Sequence, residues 1–316
     1  MRPEWPQRVR MAMRRVGLSR GDRPLRIHGR PSEQPMVFVT NVVRSGSTLT
    51  QVVLSGHPKV CICPEAAWLD RFLDRQPRSS RLTGRALQRF AADAADDAKL
   101  SGWKIDMSSE LAGLHRHRAV DIRDFTRRVF ERYAQNAHPG ATHLGIKKGS
   151  LLPWWRELLR LWPESRFIFT VRDARDSVAS AVAKLRNADV PQQCHHWNQR
   201  VAIALAAASE QPERMRIVRY EDLALFPEST ARGMCEFLNI AYASQMIETA
   251  AGNRAYEQIS NGYEQLHHRT NQPIDATRVY AWTRGGDPSE TTEIEALTAS
   301  HLDALGYERR TQRQAA

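Results

Sequence analysis

Two short polar segments carry residue types that bind anions, and each follows an apolar run. The first, Arg44–Thr48 (R-S-G-S-T), stands between the apolar run Met36–Val43 and a helical pattern. A loop from a strand into a helix points backbone N–H groups and the positive helix end at a bound anion. Gly46 allows close approach of the backbone, and the Arg and hydroxyl side chains add donors. The loop predicts an anion site, although an ordinary capped turn with a surface Arg would have a similar sequence.

The second segment begins with Arg172, directly after the apolar run Arg166–Val171. In open α/β sheets, ligands bind where the strands end. On the helix predicted to follow, Ser180 and Lys184 face away from the apolar stripe that contains Val178. Arg172, Ser180 and Lys184 are therefore predicted to converge on one anion. A solvated helix face that begins with an Arg–Asp cap is the alternative.

Apolar runs and amphipathic stripes predict strands that alternate with helices along the chain. Short runs rich in β-branched residues are typical of buried parallel strands. The alternation predicts an α/β fold, in which a central parallel sheet has helices on both faces. The predicted strands are Met36–Val43, Lys59–Cys63, Thr142–Lys147, Arg166–Val171 and Met215–Tyr220. The predicted helices span about 47–56, 64–73, 83–100, 121–136, 151–162, 174–185, 227–238 and 288–305.

The composition is that of a globular protein with a basic start. The chain has 316 residues, of which 41% are hydrophobic and 26% are charged, enough to bury a core without disulfides. Residues 1–35 contain nine Arg, three acidic residues and five Pro, so they carry +6 of the net charge of +11. This predicts a poorly ordered basic tail over 1–35 and one domain over 36–316. The remaining charge suits an anionic ligand and does not require nucleic acid.

Cysteine usage and the lengths of apolar runs both favour the cytoplasm. None of the four cysteines has C-x-x-C spacing, which predicts reduced thiols. No apolar run approaches the ~20 residues of a membrane span. The basic start of the chain lacks the apolar region of a secretory signal. The sequence therefore predicts a cytoplasmic protein without a transmembrane segment.

Together, the two anion segments resemble the sulfotransferase family that uses 3′-phosphoadenosine-5′-phosphosulfate (PAPS). Arg44–Thr48 is similar to the family's 5′-phosphosulfate loop, and Arg172 with Ser180, eight residues on, is similar to its 3′-phosphate pair. More motifs follow in the family's order between about 37 and 307: G-I-K at 145–147, L-W-P-E-S-R-F at 161–167 and Y-E-D-L at 220–223. This order is far more specific than any one motif. The resemblance implies a P-loop-type sheet, a sulfotransferase activity, PAPS as donor, PAP as product and no metal.

The resemblance also implies which residues act. Glu65 stands 21 residues beyond Arg44, where the tyrosylprotein branch of the family has its catalytic Glu, and it is the candidate general base. A Glu favoured by a helix N-terminus is the alternative. Lys147 and Arg44 are the candidate catalytic cations, with Lys148 as the competing assignment for the lysine. The implied nucleotide-binding residues are Arg44, Ser45, Gly46, Ser47, Thr48, Leu49, Arg172, Ser180, Lys184 and Tyr220, the last of which could instead be a core residue.

Within the family, the motifs are most similar to those of tyrosylprotein sulfotransferases. Trp282-Thr283 and Leu305–Tyr307 resemble that branch, which implies a phenol acceptor such as a tyrosine in an acidic peptide. Two residues depart from it: Tyr280 stands where the branch has an active-site Ser, and Arg284 stands where it has a Gly. Because of these departures, the resemblance is a weaker guide to the acceptor than to the reaction. A small molecule, a glycan or a lipid head group therefore stays open as acceptor. A homodimer also stays open.

Other functional classes explain only parts of the sequence. A P-loop kinase would need Mg²⁺ and a Walker A Lys, and G-x-x-x-x-G-K-[ST] is absent. A nucleic-acid-binding protein would account for the Arg-rich start and is the alternative from another class, although we do not expect nucleic acid as a partner. The histidines lack metal-ligand spacing. Surface or capping roles are expected for the histidines, and His57, near the end of the first helix, is the weaker candidate for a base that the structure must test.

Overall fold

Five strands form one parallel sheet, and two shorter strands form an antiparallel ribbon. The computed structural model describes residues 25–29, 35–103, 105–251 and 274–309. Within these ranges the strands are β1 (Met36–Asn41), β2 (Val60–Cys63), β3 (Arg81–Thr83), β4 (Ala119–Asp121), β5 (His143–Lys147), β6 (Arg166–Val171) and β7 (Met215–Arg219). The sheet has the order β2-β5-β1-β6-β7 with every neighbouring pair parallel, and β3 pairs with β4. The five predicted strands and their parallel arrangement are confirmed.

Helices follow the strands and cover both faces of the sheet. They are α1 (Ser47–Ser55), α2 (Trp68–Asp74), α3 (Gly84–Ala95), α4 (Ala98–Ser101), α5 (Ser108–Arg116), α6 (Ile122–Ala137), α7 (Trp155–Leu161), α8 (Ala174–Val182), α9 (Val190–Glu210), α10 (Tyr220–Leu225), α11 (Pro227–Leu238), α12 (Gln245–Ala251) and α13 (Pro288–Ala304). Short 3-10 turns occur at Gly149–Trp154, Ala276–Arg278 and Ala281–Thr283. In the described part of the chain, none of the helices has the length and apolarity needed to cross a bilayer.

The strands are buried on both faces, which produces a core on each side of the sheet. Successive strand residues point to opposite faces. On β1, Phe38 therefore packs in one core, where its ring lies 5.9 Å from that of Trp162. Val37 packs in the other core, with α1 and α11. The predicted α/β fold with helices on both faces is confirmed.

Three predicted helices begin or continue differently from the expectation. The helix expected from Pro64 begins at Trp68, so Glu65 lies in the connection after β2 and not in a helix. The helix expected over 83–100 divides into α3 and α4, because the Asp97 side chain accepts from two backbone N–H groups and starts a new helix there. The segment over 151–162 begins as a 3-10 turn that contains Pro153.

Residues 25–29 pack against the domain, which corrects the expectation that order begins at Met36. Leu25 is buried in the core, with 7% of its surface exposed. The Arg26 N–H donates to the Arg78 carbonyl (3.0 Å), and the Arg26 carbonyl accepts from Ser80 N–H (2.9 Å). The buried Leu, this backbone pairing and the contacts of His28 with Ser80 Oγ and Arg123 hold the segment, and a composition rich in Pro and Arg does not indicate them. The rest of the predicted tail, residues 1–24 and 30–34, lies outside the described residues.

Gly145 lets β5 and β1 approach each other closely. A Cβ atom at this position would lie 2.0 Å from the Val37 carbonyl oxygen, which is backbone and cannot turn aside. We expect Gly145→Ala to lower the free energy of unfolding by about 2–4 kcal/mol, measured by urea denaturation. Gly285→Ala is the control, because a Cβ there meets nothing within 4 Å. Equal urea midpoints for the two variants would contradict this account of the strand pair.

Candidate active site

The five parallel strands end at one edge of the sheet, and each contributes a candidate residue there. Arg44 follows β1, Glu65 follows β2, Lys147 ends β5, Arg172 follows β6 and Tyr220 follows β7. From β1 the chain crosses to β2 on one side, and β6 and β7 lie on the other. Ligands of open α/β sheets bind at such a switch point. The topology thus brings residues that are far apart in sequence to one place.

The loop between β1 and α1 is shaped to receive an anion. Arg44 and Gly46 have positive φ angles of 61° and 81°. A Cβ at Gly46 would lie 2.5 Å from Cδ2 of Tyr220, so only glycine lets this ring pack against the loop. Gly46 is the N-cap of α1, and this helix has no side-chain cap and no acidic residue in its first turn. The first backbone N–H groups of α1 are therefore available to an anionic ligand, because neither a capping side chain nor a carboxylate of the first turn occupies them.

The other residues of the loop divide between structure and site. Ser45 is fully buried, and its hydroxyl donates to the Val42 carbonyl (2.8 Å), which fixes the turn. Ser47 and Thr48 begin α1, where Ser47 is half-buried and Thr48 is buried. Leu49 packs with Tyr220 as part of a small apolar cluster. The loop therefore offers its backbone and the Ser47 and Thr48 positions to a ligand, with Leu49 behind them.

Arg44 and Arg172 place two positive charges at the mouth of this loop. Burial and the nearby Arg172 charge both lower the pKa of Arg44. Arg44 Nε donates a long hydrogen bond of 3.4 Å to Ser180 Oγ on α8. Among the described residues, no carboxylate lies within salt-bridge distance of Arg44. Two adjacent cations, one of them without a carboxylate partner in the part of the chain that the structure describes, favour the binding of an anion.

Arg172 is held in place but keeps a donor unused. Its Nη2 donates to the Arg278 carbonyl (2.6 Å) and pairs with Asp176 (3.2 Å), and its guanidinium lies 5.0 Å from the centre of the Tyr220 ring. Its buried Nε has no hydrogen-bond partner among the described residues. A buried donor without a partner is costly, and an anionic ligand would satisfy it. Tyr220, predicted beside the nucleotide, lies against both Arg172 and the Gly46 loop.

Lys184 lies just beyond the end of its predicted helix. Helix α8 ends at Val182, and Lys184 follows two residues later in an exposed turn. One helical hydrogen bond still spans this turn, since the Leu185 N–H donates to the Ala181 carbonyl (2.8 Å). The predicted apolar stripe stops early, because Leu185 is exposed. Ser180 is brought to the arginine of the loop, and the part of Lys184 in the site stays a prediction.

Glu65 lies between two lysines. Lys147 Nζ donates to Glu65 Oε1 (2.8 Å), and Lys99 Nζ donates to Oε2 (2.7 Å). Burial alone would raise the pKa of Glu65, but Lys147 and then Lys99 outweigh it and lower the pKa to about 2. Lys148 instead pairs with Asp70 (3.1 Å), away from Glu65. Of the two lysines that the sequence left open, Lys147 is the one in contact with Glu65.

Lys99 is the residue at this site that sequence reasoning missed. It lies on the four-residue helix α4, 34 residues beyond Glu65, in no recognised motif. The Trp103 indole donates to the Glu65 carbonyl (3.3 Å), so the same segment also fixes the backbone of Glu65. The only sequence signal was the Asp97 cap that starts α4, and a cap does not indicate what the following lysine contacts.

The segment after residue 273 closes the side of the site next to Arg172. The backbone N–H groups of Ala281 and Trp282 donate to the Asp176 carboxylate (3.2 and 2.9 Å). Tyr280, one of the two residues whose types differ from the tyrosylprotein motifs, accepts a hydrogen bond from Arg219 (2.9 Å). Arg284 donates to carbonyl groups of its own segment. Both departures from the branch thus take part in contacts that shape this segment.

His57 and the cysteines have structural surroundings. His57 is buried, with Nε2 at 2.8 Å from the Ala241 carbonyl and Nδ1 accepting from Lys59 N–H (3.0 Å). With both ring nitrogens engaged, His57 is a core histidine and not a base at this site. The four cysteines are buried and unpaired. Across the described ranges, no three His, Cys, Asp or Glu side chains form a cluster that could hold a metal ion.

Comparison with known proteins decides the family. The model of the sulfotransferase family matches residues 35–244, about two thirds of the chain, which include β1, the Arg44 loop and the ends of all five sheet strands. The chain belongs to the sulfotransferase family. It is therefore an enzyme, a transferase of sulfuryl groups, as the ordered motifs predicted.

Relatives of this sulfotransferase confirm the resemblance to the tyrosylprotein branch. It is 26% identical to protein-tyrosine sulfotransferase 2 of Gallus gallus, over 87% of this chain and 70% of that protein. It is 25% identical to protein-tyrosine sulfotransferase 1 of Danio rerio, over 87% of this chain and 73% of that protein. The corresponding enzyme of Drosophila melanogaster is 23% identical, over 90% of this chain and 54% of that protein.

Solved structures share the fold of this sulfotransferase. The sulfotransferase domain of the Synechococcus PCC 7002 olefin synthase aligns with a TM-score of 0.61 at 19% identity, over 89% of this chain and 97% of that domain. The sulfotransferase domain from the curacin biosynthetic pathway aligns with a TM-score of 0.58 at 22% identity, over 89% and 99%. At these identities the likeness concerns the fold, and it confirms the predicted P-loop-type α/β architecture.

Proposed function

We propose that this sulfotransferase uses PAPS as donor and a tyrosine phenol in an acidic peptide as acceptor. The observation that carries the donor is the pair of adjacent cations at the Gly46 loop. Arg44 has no carboxylate partner among the described residues, and the buried Nε of Arg172 has no partner there either. A ligand with two anionic groups would satisfy both arginines at once.

The residues at the edge of the sheet fit the two ends of PAPS. Arg44, the N–H groups at the start of α1, Ser47 and Thr48 would hold the phosphosulfate. Arg172 and Ser180 would hold the 3′-phosphate, and Tyr220 would border the nucleotide. PAPS supplies an activated sulfuryl group, and the residues of this chain bind it and orient it.

Sulfuryl transfer needs a base that takes one proton and a cation that stabilises one developing negative charge. As the acceptor oxygen bonds to sulfur, the bond from sulfur to the bridging phosphate oxygen breaks, and the electron pair stays on that oxygen. The acceptor proton passes to Glu65, which at neutral pH is ionised because its pKa is about 2. Lys147 and Arg44 stabilise the charge that grows on the bridging oxygen. General-base catalysis of this kind is typically worth about 10²- to 10⁴-fold in rate.

The choice of acceptor rests on the relatives and on charge. Several relatives at 23–27% identity are named protein-tyrosine sulfotransferases. The net charge of +11 favours an acidic partner over a basic one. A tyrosine phenol flanked by carboxylates meets both conditions.

Transfer of label from [³⁵S]PAPS tests the donor and the acceptor together. The acceptors are an acidic peptide with one Tyr, the same peptide with Tyr→Phe, a neutral Tyr peptide, and p-nitrophenol. We expect label on the acidic Tyr peptide, less on the neutral peptide and none on the Phe control. Label on p-nitrophenol alone, or on glycan or lipid after addition of a cell extract, would overturn the peptide acceptor. No transfer to any acceptor would overturn the donor.

A further inference from the structure

The two oxygens of the Glu65 carboxylate are held by lysines from different parts of the fold. Lys147 ends β5 and contacts Oε1, and Lys99 lies on α4 and contacts Oε2. Lys147 belongs to the sheet edge where the donor binds in our proposal, and 10% of its side chain is exposed, against 33% for Lys99. The lysines therefore approach Glu65 from two environments, one at the donor loop and one outside the sheet.

Helix α4 is built onto the segment that carries Glu65. The buried Asp97 carboxylate accepts from Trp68 N–H (3.0 Å) and from the N–H before it, at the start of α2. The same side chain caps α4 through Lys99 N–H (3.1 Å). Trp103 then reaches back to the Glu65 carbonyl. Lys99 is thus presented to Glu65 by a buried hydrogen-bond network, unlike a chance pair of surface charges.

Lys147 has two acceptors to serve in our proposal, the Glu65 carboxylate and the bridging oxygen of the donor. Its ammonium has three N–H donors, and as it turns toward the bridging oxygen during transfer, its contact with Glu65 is shared with the donor. Among the described residues, the charged groups that act on Glu65 are Lys147 from β5 and Lys99 from α4. When Lys147 turns away, Lys99 is the remaining cation that can fix the carboxylate.

We propose that Lys99 is a positioning residue, which holds the Glu65 carboxylate toward the acceptor while Lys147 serves the sulfuryl donor. This inference rests on the proposed function and adds a residue to it. Lys99 does not touch the reacting atoms, so its effect must pass through Glu65. An orienting contact of this kind affects turnover much more than donor binding.

A double-mutant cycle tests whether Lys99 acts through Glu65. We expect Lys99→Met to lower kcat by roughly 10- to 100-fold, with the PAP dissociation constant and the acceptor KM changed by less than about twofold. Lys99→Arg keeps a cation at the same place and should restore most of the loss. In a Glu65→Gln background, Lys99→Met should lower kcat no further, because the group that it positions no longer takes a proton.

Each other result contradicts the inference in a distinct way. If Lys99→Met costs the same factor with Gln at 65, Lys99 acts elsewhere. If Lys99→Arg is as impaired as Lys99→Met, or if PAP binding falls as well, the lysine supports the fold and not the carboxylate. If the wild-type enzyme transfers no sulfate, the proposed function fails and the role of Lys99 fails with it; normal wild-type transfer with full activity in Lys99→Met would remove Lys99 alone.

Discussion

Replacing Glu65 with Gln should lower kcat by about 10²- to 10⁴-fold and leave the affinity for PAP nearly unchanged. Gln has the size of Glu, and its one amide oxygen can still accept a hydrogen bond from one of the two lysines, but it cannot take the acceptor's proton. Because Glu65 lies after β2 and not in the Gly46 loop, its loss removes no contact of the proposed nucleotide site. Initial rates with [³⁵S]PAPS and calorimetric titration with PAP measure the two effects.

The low pKa of Glu65 is compatible with its proposed role as a base. A carboxylate with a pKa of about 2 is ionised at pH 7 but weakly basic. Burial is the largest influence on this group and raises its pKa, whereas Lys147 lowers it most. In our proposal Lys147 turns toward the donor during transfer. We expect the pKa of Glu65 to rise as that contact weakens, which would make Glu65 a better proton acceptor.

Asp70 provides the matched control for Glu65. It is also half-buried and also paired with a lysine, since its carboxylate lies 3.1 Å from Lys148 and accepts from Ser150 (2.6 Å). Asp70→Asn also replaces a carboxylate with an amide, but in α2 and outside the set of residues that we propose for the transfer. We expect its kcat to stay within about threefold of wild type. Equal turnover in Glu65→Gln and Asp70→Asn would remove Glu65 as the base.

The sequence predicted the sheet and the ends of its strands because both depend on local patterns. Apolar β-branched runs such as Met36–Asn41 are buried on both faces, and a polar residue follows each run where the chain leaves the core. The sequence alone therefore places Arg44, Glu65 and Arg172 at one edge of the sheet. Parallel strands that share a carboxyl edge then bring these residues together without further information.

The errors occur where a contact depends on distant residues. The helix before Lys184 was predicted by extending a 3.6-residue period to residue 185, but packing decides where a helix stops, and α8 ends at Val182. Lys99 meets Glu65 because Asp97 ties two segments together, and no periodicity or motif encodes that tie. Leu25 was assigned to a tail because composition averages over many residues, and an average does not reveal that one side chain is buried.

Replacing Arg172 with Ala should weaken PAP binding by about 10- to 100-fold and 5′-AMP binding by less than about twofold. The two nucleotides differ in the 3′-phosphate, which our proposal places against Arg172 and Ser180. A hydrogen bond to a charged group contributes about 1.5–3 kcal/mol, and 1.4 kcal/mol is tenfold in affinity. Ser180→Ala removes only a hydroxyl at 3.4 Å from Arg44 Nε, so we expect a smaller, roughly threefold loss.

The comparison of PAP with 5′-AMP separates recognition of the 3′-phosphate from a general effect of charge. Arg214→Ala removes the same charge at the opposite edge of the sheet, where Arg214 precedes β7 and pairs with Glu164 (3.1 Å). A general effect would weaken both nucleotides in both arginine variants, and more so at low salt. Loss of a specific contact with the 3′-phosphate would weaken the binding of PAP but not of 5′-AMP, and it would do so in Arg172→Ala but not in Arg214→Ala. Because Asp176 and the Arg278 carbonyl already hold Nη2, we assign the discrimination to the buried Nε, which has no hydrogen-bond partner among the described residues. Equal losses for PAP and 5′-AMP would place the 3′-phosphate elsewhere at this edge.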